Sequence, residues 1–180
     1  MYGLKPVPTV LRHSRKVRGL CYSRRVKTLL RTAALLLLLP IVAHAAEHVF
    51  DPSRDSAADV VAAEHQAAAE HKLILLDVGG NWCGWCIIFD RVSHSDAKLS
   101  DVLAKKYVVV HVNMSKENEN RAFLAQYPTI PGFPHFFVLS ADGKVLISQG
   151  TDIFERTHHE ADGYDPDMLT DFFKRMAKKS

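Results

Sequence analysis

The chain has 180 residues, 47% of them hydrophobic, with 23 Lys and Arg against 20 Asp and Glu. That length supports one well-packed domain and is short for two. Nine of the basic residues precede position 32 and no acidic residue precedes Glu47, so the rest of the chain sets 14 basic against 20 acidic residues, a net charge of −6 with His neutral; an acidic domain with no basic stripe excludes binding through phosphate backbones.

The first 45 residues have the order of a secretory signal peptide: a basic stretch, an apolar run over 33–43 built on five consecutive leucines, then Ala43-His44-Ala45. Cleavage is expected after Ala45, and the alternative is an uncleaved anchor with its basic flank on the cytoplasmic side. The apolar run is shorter than the roughly 20 residues that a membrane-spanning helix needs. Cys21 falls inside this segment, so Cys83 and Cys86 are the thiols the mature domain keeps.

Residues 46–58 read as an arm with a turn at Phe50-Asp51-Pro52-Ser53. Residues 59–71 are rich in alanine and predict a helix packed on a sheet. His65 and His71 are six apart, so they do not share a helical face as a metal pair and read as solvated. Residues 73–78 form a nearly continuous apolar run ended by Gly79-Gly80, the pattern of a strand covered on both faces. Asp77 is the anomaly in it, since a carboxylate desolvated there has to be paired, protonated or functional.

Asn81-Trp82-Cys83-Gly84-Trp85-Cys86 follows. Ile87, Ile88, Phe89 and Val92 continue at helical spacing, which sets Cys83 at a helix N-terminus, where the dipole and unpaired N–H groups favour a thiolate. A structural staple is disfavoured, because closing so short a loop is worth only about 2 kcal/mol before strain. A structural zinc site needs four ligands, and there is no second Cys pair. A redox dithiol, the remaining reading, requires a strand before it and a helix after it.

The helix breaks over 93–96, where Ser95 or Asp96 can cap a continuation through Leu99, Val102 and Leu103. Residues 107–112 predict a strand, and Ala122, Phe123, Leu124 and Tyr127 a short helix. A proline-rich approach, residues 128–134, leads into a strand over 135–139. Asp142-Gly143 then turns an antiparallel hairpin into a strand over 144–148. Residues 151–165 read as a loop, in which His158-His159-Glu160 is a solvated stretch rather than a metal site. Pro166 opens a last helix carrying Met168, Leu169, Phe172, Phe173 and Met176.

Over residues 59–178 the dithiol in Trp82-Cys83-Gly84-Trp85-Cys86, the strand ending near Asp77 and the hairpin led by Pro134 resemble the thioredoxin-like superfamily. The break at 93–96 and the Gly79-Gly80-Asn81 lead-in resemble its secreted thiol:disulfide interchange members, similar to the DsbD C-terminal domain. The resemblance implies an α/β thioredoxin fold over residues 59–180, a central mixed sheet of about four to five strands flanked by helices. It implies a periplasmic or secreted oxidoreductase with Cys83 as nucleophile, Cys86 as resolving thiol, Asp77 as proton acceptor and Pro134 as a cis-proline beside the dithiol.

The chemistry asks for the same types. Cys83 has to be exposed and ionised to attack, while Cys86 stays protonated until it resolves the mixed disulfide. Asp77, raised by burial, takes that proton. The Phe133 backbone then pairs with an extended substrate. Trp82 and Trp85 supply an apolar rim, with core packing the competing role for Trp82. No cofactor and no metal are expected. The partners are protein thiols and disulfides and a redox partner, without nucleic acid and without membrane insertion once the signal is removed.

Two departures bear on mechanism. His111 stands where the family often has a lysine near the buried carboxylate. The Gly-Trp dipeptide lacks both the histidine of strongly oxidising relatives and the proline of thioredoxin itself, which leaves the direction of electron flow open. With no cation between the cysteines, the reading leans towards a reductant or exchange partner. The alternatives are a non-catalytic binding module using the Trp-lined surface, and a carrier holding copper(I) on both thiolates.

Overall fold

Strand β1 (Leu73–Gly79) is buried at every residue, as a strand covered on both faces must be. In this computed structural model, which describes residues 48–156 and 163–178, β1 lies inside a four-stranded sheet of order β2-β1-β3-β4. The other strands are β2 (Tyr107–Asn113), β3 (His135–Leu139) and β4 (Val145–Gly150). β2 runs parallel to β1, and β3 runs antiparallel to both β1 and β4. The expected signal peptide, with Cys21 and the cleavage expected after Ala45, and the His158-His159 pair lie outside the described residues. No helix among the described residues is long and apolar enough to cross a membrane.

Among the described residues, five α-helices flank the sheet: α1 (Ser56–Glu70), α2 (Gly84–Ser95), α3 (Ala97–Lys106), the single turn α4 (Arg121–Leu124) and α5 (Pro166–Ala177). Strand side chains alternate between faces, and the core divides accordingly. Ile74, Leu76 and Val78 join Val110, Val112, Phe137 and Leu139 under Val60, Ala63 and Ala67 of α1. Leu73 and Leu75 join Tyr107, Phe136 and Val138 on the other face, against Phe89 of α2, Leu99 of α3 and Phe173 of α5. Each fully buried Leu or Phe contributes about 1.5–3 kcal/mol. By the same alternation Asp77 and Gly79 point towards the α2 side.

Capping carboxylates set the helix boundaries. Helix α1 begins at Ser56, ahead of the expected residue 59, because the Asp55 side chain accepts from the N–H groups of Ala57 and Ala58. Asp96 ends α2 and caps α3 by accepting from Lys98 and Leu99, which accounts for the break after Ser95. Asp165 does the same ahead of Pro166. Helix α4 stops at Leu124 instead of reaching residue 127, and Tyr127 packs its ring on Phe123 and Phe137.

The expected loop over 151–165 holds more structure than its composition suggests. A 3-10 turn spans Asp152–Phe154, and Glu155 bridges to Tyr164. Phe154 and Tyr164 are both buried in the α2–α5 core. These aromatics have no periodic neighbours in sequence.

Candidate active site

Cys83 is the N-cap of α2, and its Sγ accepts a hydrogen bond from the Cys86 N–H at 3.2 Å. Its backbone N–H donates to Gly80 O at 3.0 Å, which fixes the turn leading out of β1. Cys83 and Cys86 are joined as a disulfide with their Cα atoms 5.3 Å apart. The sequence places Cys83 at a helix N-terminus, and the geometry there favours negative charge on its sulfur.

One expectation needs correction. Cys83 is only 6% exposed and Cys86 is fully buried, so neither sulfur stands out from the surface in this state. The cause is local packing, since Phe50, Val49, Trp85 and Phe133 surround the pair in a small apolar cluster. The solvent-accessible part of Cys83 is correspondingly small.

Gly79 explains why the buried sulfur can sit where it does. A Cβ at that position would lie 2.5 Å from Cys86 Sγ and 3.0 Å from the Phe50 ring, so only glycine lets β1 pass this close beneath the disulfide. Asp77 lies two residues back on the same face, about 6.6 Å along the strand. It is completely buried. Its Oδ2 meets His111 Nδ1 at 3.1 Å, an arrangement set by the parallel register that puts Asp77 opposite His111. Its Oδ1 is buried with no hydrogen-bond partner. Burial pushes the Asp77 carboxyl above the usual range, and the bond and charge of His111 oppose this in part. For His111, burial pulls downward, but the bond and charge of Asp77 and then the charge of Asp90 outweigh it, and the net push is upward.

The peptide bond Phe133-Pro134 is cis. The Pro134 carbonyl accepts from Thr151 Oγ1 at 3.1 Å, and Thr151 Oγ1 accepts from the Tyr164 hydroxyl at 2.9 Å. This buried chain ties the cis-proline loop to the segment before α5. Tyr164 also packs its ring on Trp85, with centroids 5.1 Å apart.

The two tryptophans take different places. Trp85 is half-buried between the disulfide cluster and Tyr164. Trp82 is 59% exposed, with its indole N–H donating to Met114 O at 2.6 Å and its ring edge-on to Phe133 at 5.6 Å. A groove of about 390 Å³ runs between Trp82 and Phe133 on one side and residues 114–117 on the other.

Two residues not singled out as site residues by the sequence complete the site. Phe50, from the arm, is fully buried against the disulfide. The Asn81 carboxamide holds it in both directions: Nδ2 donates to Phe50 O at 2.6 Å, and Oδ1 accepts from Phe50 N–H at 3.2 Å. Asn118 Nδ2 secures the next part of the arm through Pro52 O at 3.0 Å. An aromatic ahead of an Asp-Pro turn and an Asn before Trp-Cys were the available signals. Neither points to the other across 31 residues.

Residues 55–141 match the model of the thioredoxin-like family. With the four-stranded mixed sheet and the disulfide-bearing helix N-terminus, this shows a thioredoxin-like fold. Among solved structures, a disulphide isomerase from Xylella fastidiosa Temecula1 is similar at 26% identity and a TM-score of 0.60, covering 73% of this chain and 98% of its own. The oxidised C-terminal domain of Neisseria meningitidis DsbD gives 17% identity and 0.49, over 67% of this chain and 95% of its own. The germline-specific thioredoxin Deadhead of Drosophila melanogaster gives 23% and 0.44, over 63% and 89%. Comparison with curated protein sequences gives no match.

Proposed function

We propose that the protein is a periplasmic thiol:disulfide oxidoreductase that exchanges its Cys83/Cys86 pair with the thiols and disulfides of other proteins, as a reductant or exchange partner. The observation that carries this is the disulfide at the α2 N-terminus, pressed onto Gly79 with the buried Asp77 on the same face. The similarity to a protein described as a disulphide isomerase supports the same reaction type. Export rests on the signal-like order of the first 45 residues.

In the reducing direction, the Cys83 thiolate attacks a substrate disulfide and forms a mixed disulfide. Cys86 gives its proton to Asp77 and attacks Cys83 Sγ, which closes the internal disulfide and releases the substrate thiolate. The cis bond before Pro134 presents the Phe133 backbone to an extended substrate segment. The Trp82–Phe133 groove receives a neighbouring side chain of that segment. Trp85 acts as a wall behind the disulfide, with Tyr164 holding it in place.

Turbidimetric reduction of insulin by dithiothreitol tests the proposal. The wild-type chain is expected to accelerate precipitation and Cys83→Ser to leave the background rate. Equal rates for the two proteins would remove the enzyme reading.

A further inference from the structure

Proton traffic at the buried cysteine has an exit that the pair of sulfurs cannot supply. Asp77 is fully enclosed and its Oδ1 has no hydrogen-bond partner, a costly arrangement for a buried acceptor. The disulfide has no proton to offer that oxygen, whereas reduced Cys86 has one. A proton taken up by Asp77 must then leave. Towards the arm the way is closed by Phe50, whose ring is fully buried and stands edge-on to the His111 ring at 5.4 Å. Asn81 clamps that residue from both sides of its peptide group. His111 is different. It bonds Asp77 through Nδ1, yet its side chain is 30% exposed, on a cleft of about 410 Å³ shared with His48, Val49, Asp90 and His94.

We infer that His111 is the proton outlet for the resolving thiol, a positioning residue that acts through Asp77 and exchanges protons with water in the His48–Asp90–His94 cleft. This rests on the exchange reading above. In the resolving step Cys86 S–H passes its proton to Asp77 Oδ1 while His111 Nε2 releases one to water, so the Asp77–His111 pair holds the same number of protons before and after. The Cys86 thiolate forms the bond to Cys83 Sγ. The bond from Cys83 to the substrate sulfur breaks, and its electron pair leaves on the substrate thiolate, which is protonated by water. Cys83 and Cys86 are oxidised and the substrate disulfide is reduced. In the opposite direction the proton enters by the same path.

The charges facing His111 favour a proton-holding imidazole. Asp77 faces it from β1, and Asp90 from α2, where Asp90 also meets His94 Nδ1 at 3.4 Å. His48 faces it from the arm. A second cleft beside His111 is lined by Asp51 and Arg54 of the arm and Asp59 of α1, and Arg54 and Asp59 pair with each other. The net upward push on His111 agrees with this.

The test follows two phases with an aromatic disulfide that releases a coloured thiolate, using the full chain reduced and carrying Cys21→Ser throughout. The first equivalent reports attack by Cys83 and the second reports resolution by Cys86. Under the inference, His111→Gln leaves the first phase within about twofold and slows the second by about tenfold or more at pH 7. Added imidazole restores the second phase in His111→Ala. A second phase indifferent to His111, or slowed without any response to imidazole, overturns the inference and leaves the exchange reading standing. Absence of the first phase in the parent protein removes both. If the variants do not fold, NMR titration of the His111 ring in the parent protein decides. Its midpoint is expected to differ between disulfide and dithiol forms, and identical curves overturn the outlet.

Discussion

Cys83 and Cys86 have unequal surroundings, and their substitutions should fail in different ways. Cys86→Ala keeps the attacking sulfur at the helix N-terminus and removes the one that resolves, so it should accumulate mixed disulfides with protein substrates. Non-reducing gels should show these adducts for Cys86→Ala and none for Cys83→Ser. Asp77 adds a stability effect. Its folded-state pKa is raised from 3.8 chiefly by burial, so the fold is favoured below that value and loses stability as pH rises and the carboxylate must ionise. Asp77→Asn should therefore raise stability at pH 7, by about 1–3 kcal/mol in urea unfolding, while slowing the resolving step. Asp77, Cys83, Cys86 and Pro134 are legible in sequence because each interrupts its surroundings: an acid in an apolar strand, thiols at a strand-to-helix turn, a proline opening a strand. Phe50, Asn81, Thr151 and Tyr164 interrupt nothing locally. Their contacts are made between distant segments, where periodicity carries no information.

At the scale of elements, strand and helix alternation gave the order of the whole domain, since apolar runs and turn residues act locally. The errors lie where a single side chain sets a boundary. Asp55 starts α1 ahead of the alanine-rich stretch, and Phe154 and Tyr164 fold a polar loop back into the core. The arm is the largest omission. It reads as an arm with a turn and little periodicity, yet Phe50 is as buried as any residue of β1. Its removal should be felt throughout the site: Phe50→Ala is expected to cost about 3–5 kcal/mol. Asn81→Ala, which unclamps the arm without emptying the pocket, should cost about 1–2 kcal/mol. Urea unfolding of the two variants checks the order. Equal, negligible losses would mean that the arm is not part of the folded unit.

At the scale of the whole molecule, two histidines of opposite sign are expected to make stability depend on pH. His135, next to the cis-proline, is 3% exposed, with Nε2 on Ser148 Oγ at 2.8 Å and Nδ1 buried without a partner. Burial lowers its pKa from 6.5, so its contribution is complete above that value and is lost as pH falls through the folded-state value. His111 is raised from 6.5, so it stabilises below that value and the benefit fades as pH rises through its folded value. Thermal stability should therefore fall further on the acid side for wild type than for His135→Gln, and an unchanged acid limb in that variant would assign any loss to other groups. The central claim is that Cys83 and Cys86 form a reversible two-electron couple on the reducing side of the superfamily's range. Equilibration with glutathione, followed by alkylation of free thiols, measures this directly. A single two-electron transition nearer to about −270 mV than to about −120 mV is the expected result. A value near about −120 mV would contradict the reductant role, and a pair that does not titrate with glutathione would contradict the account as a whole.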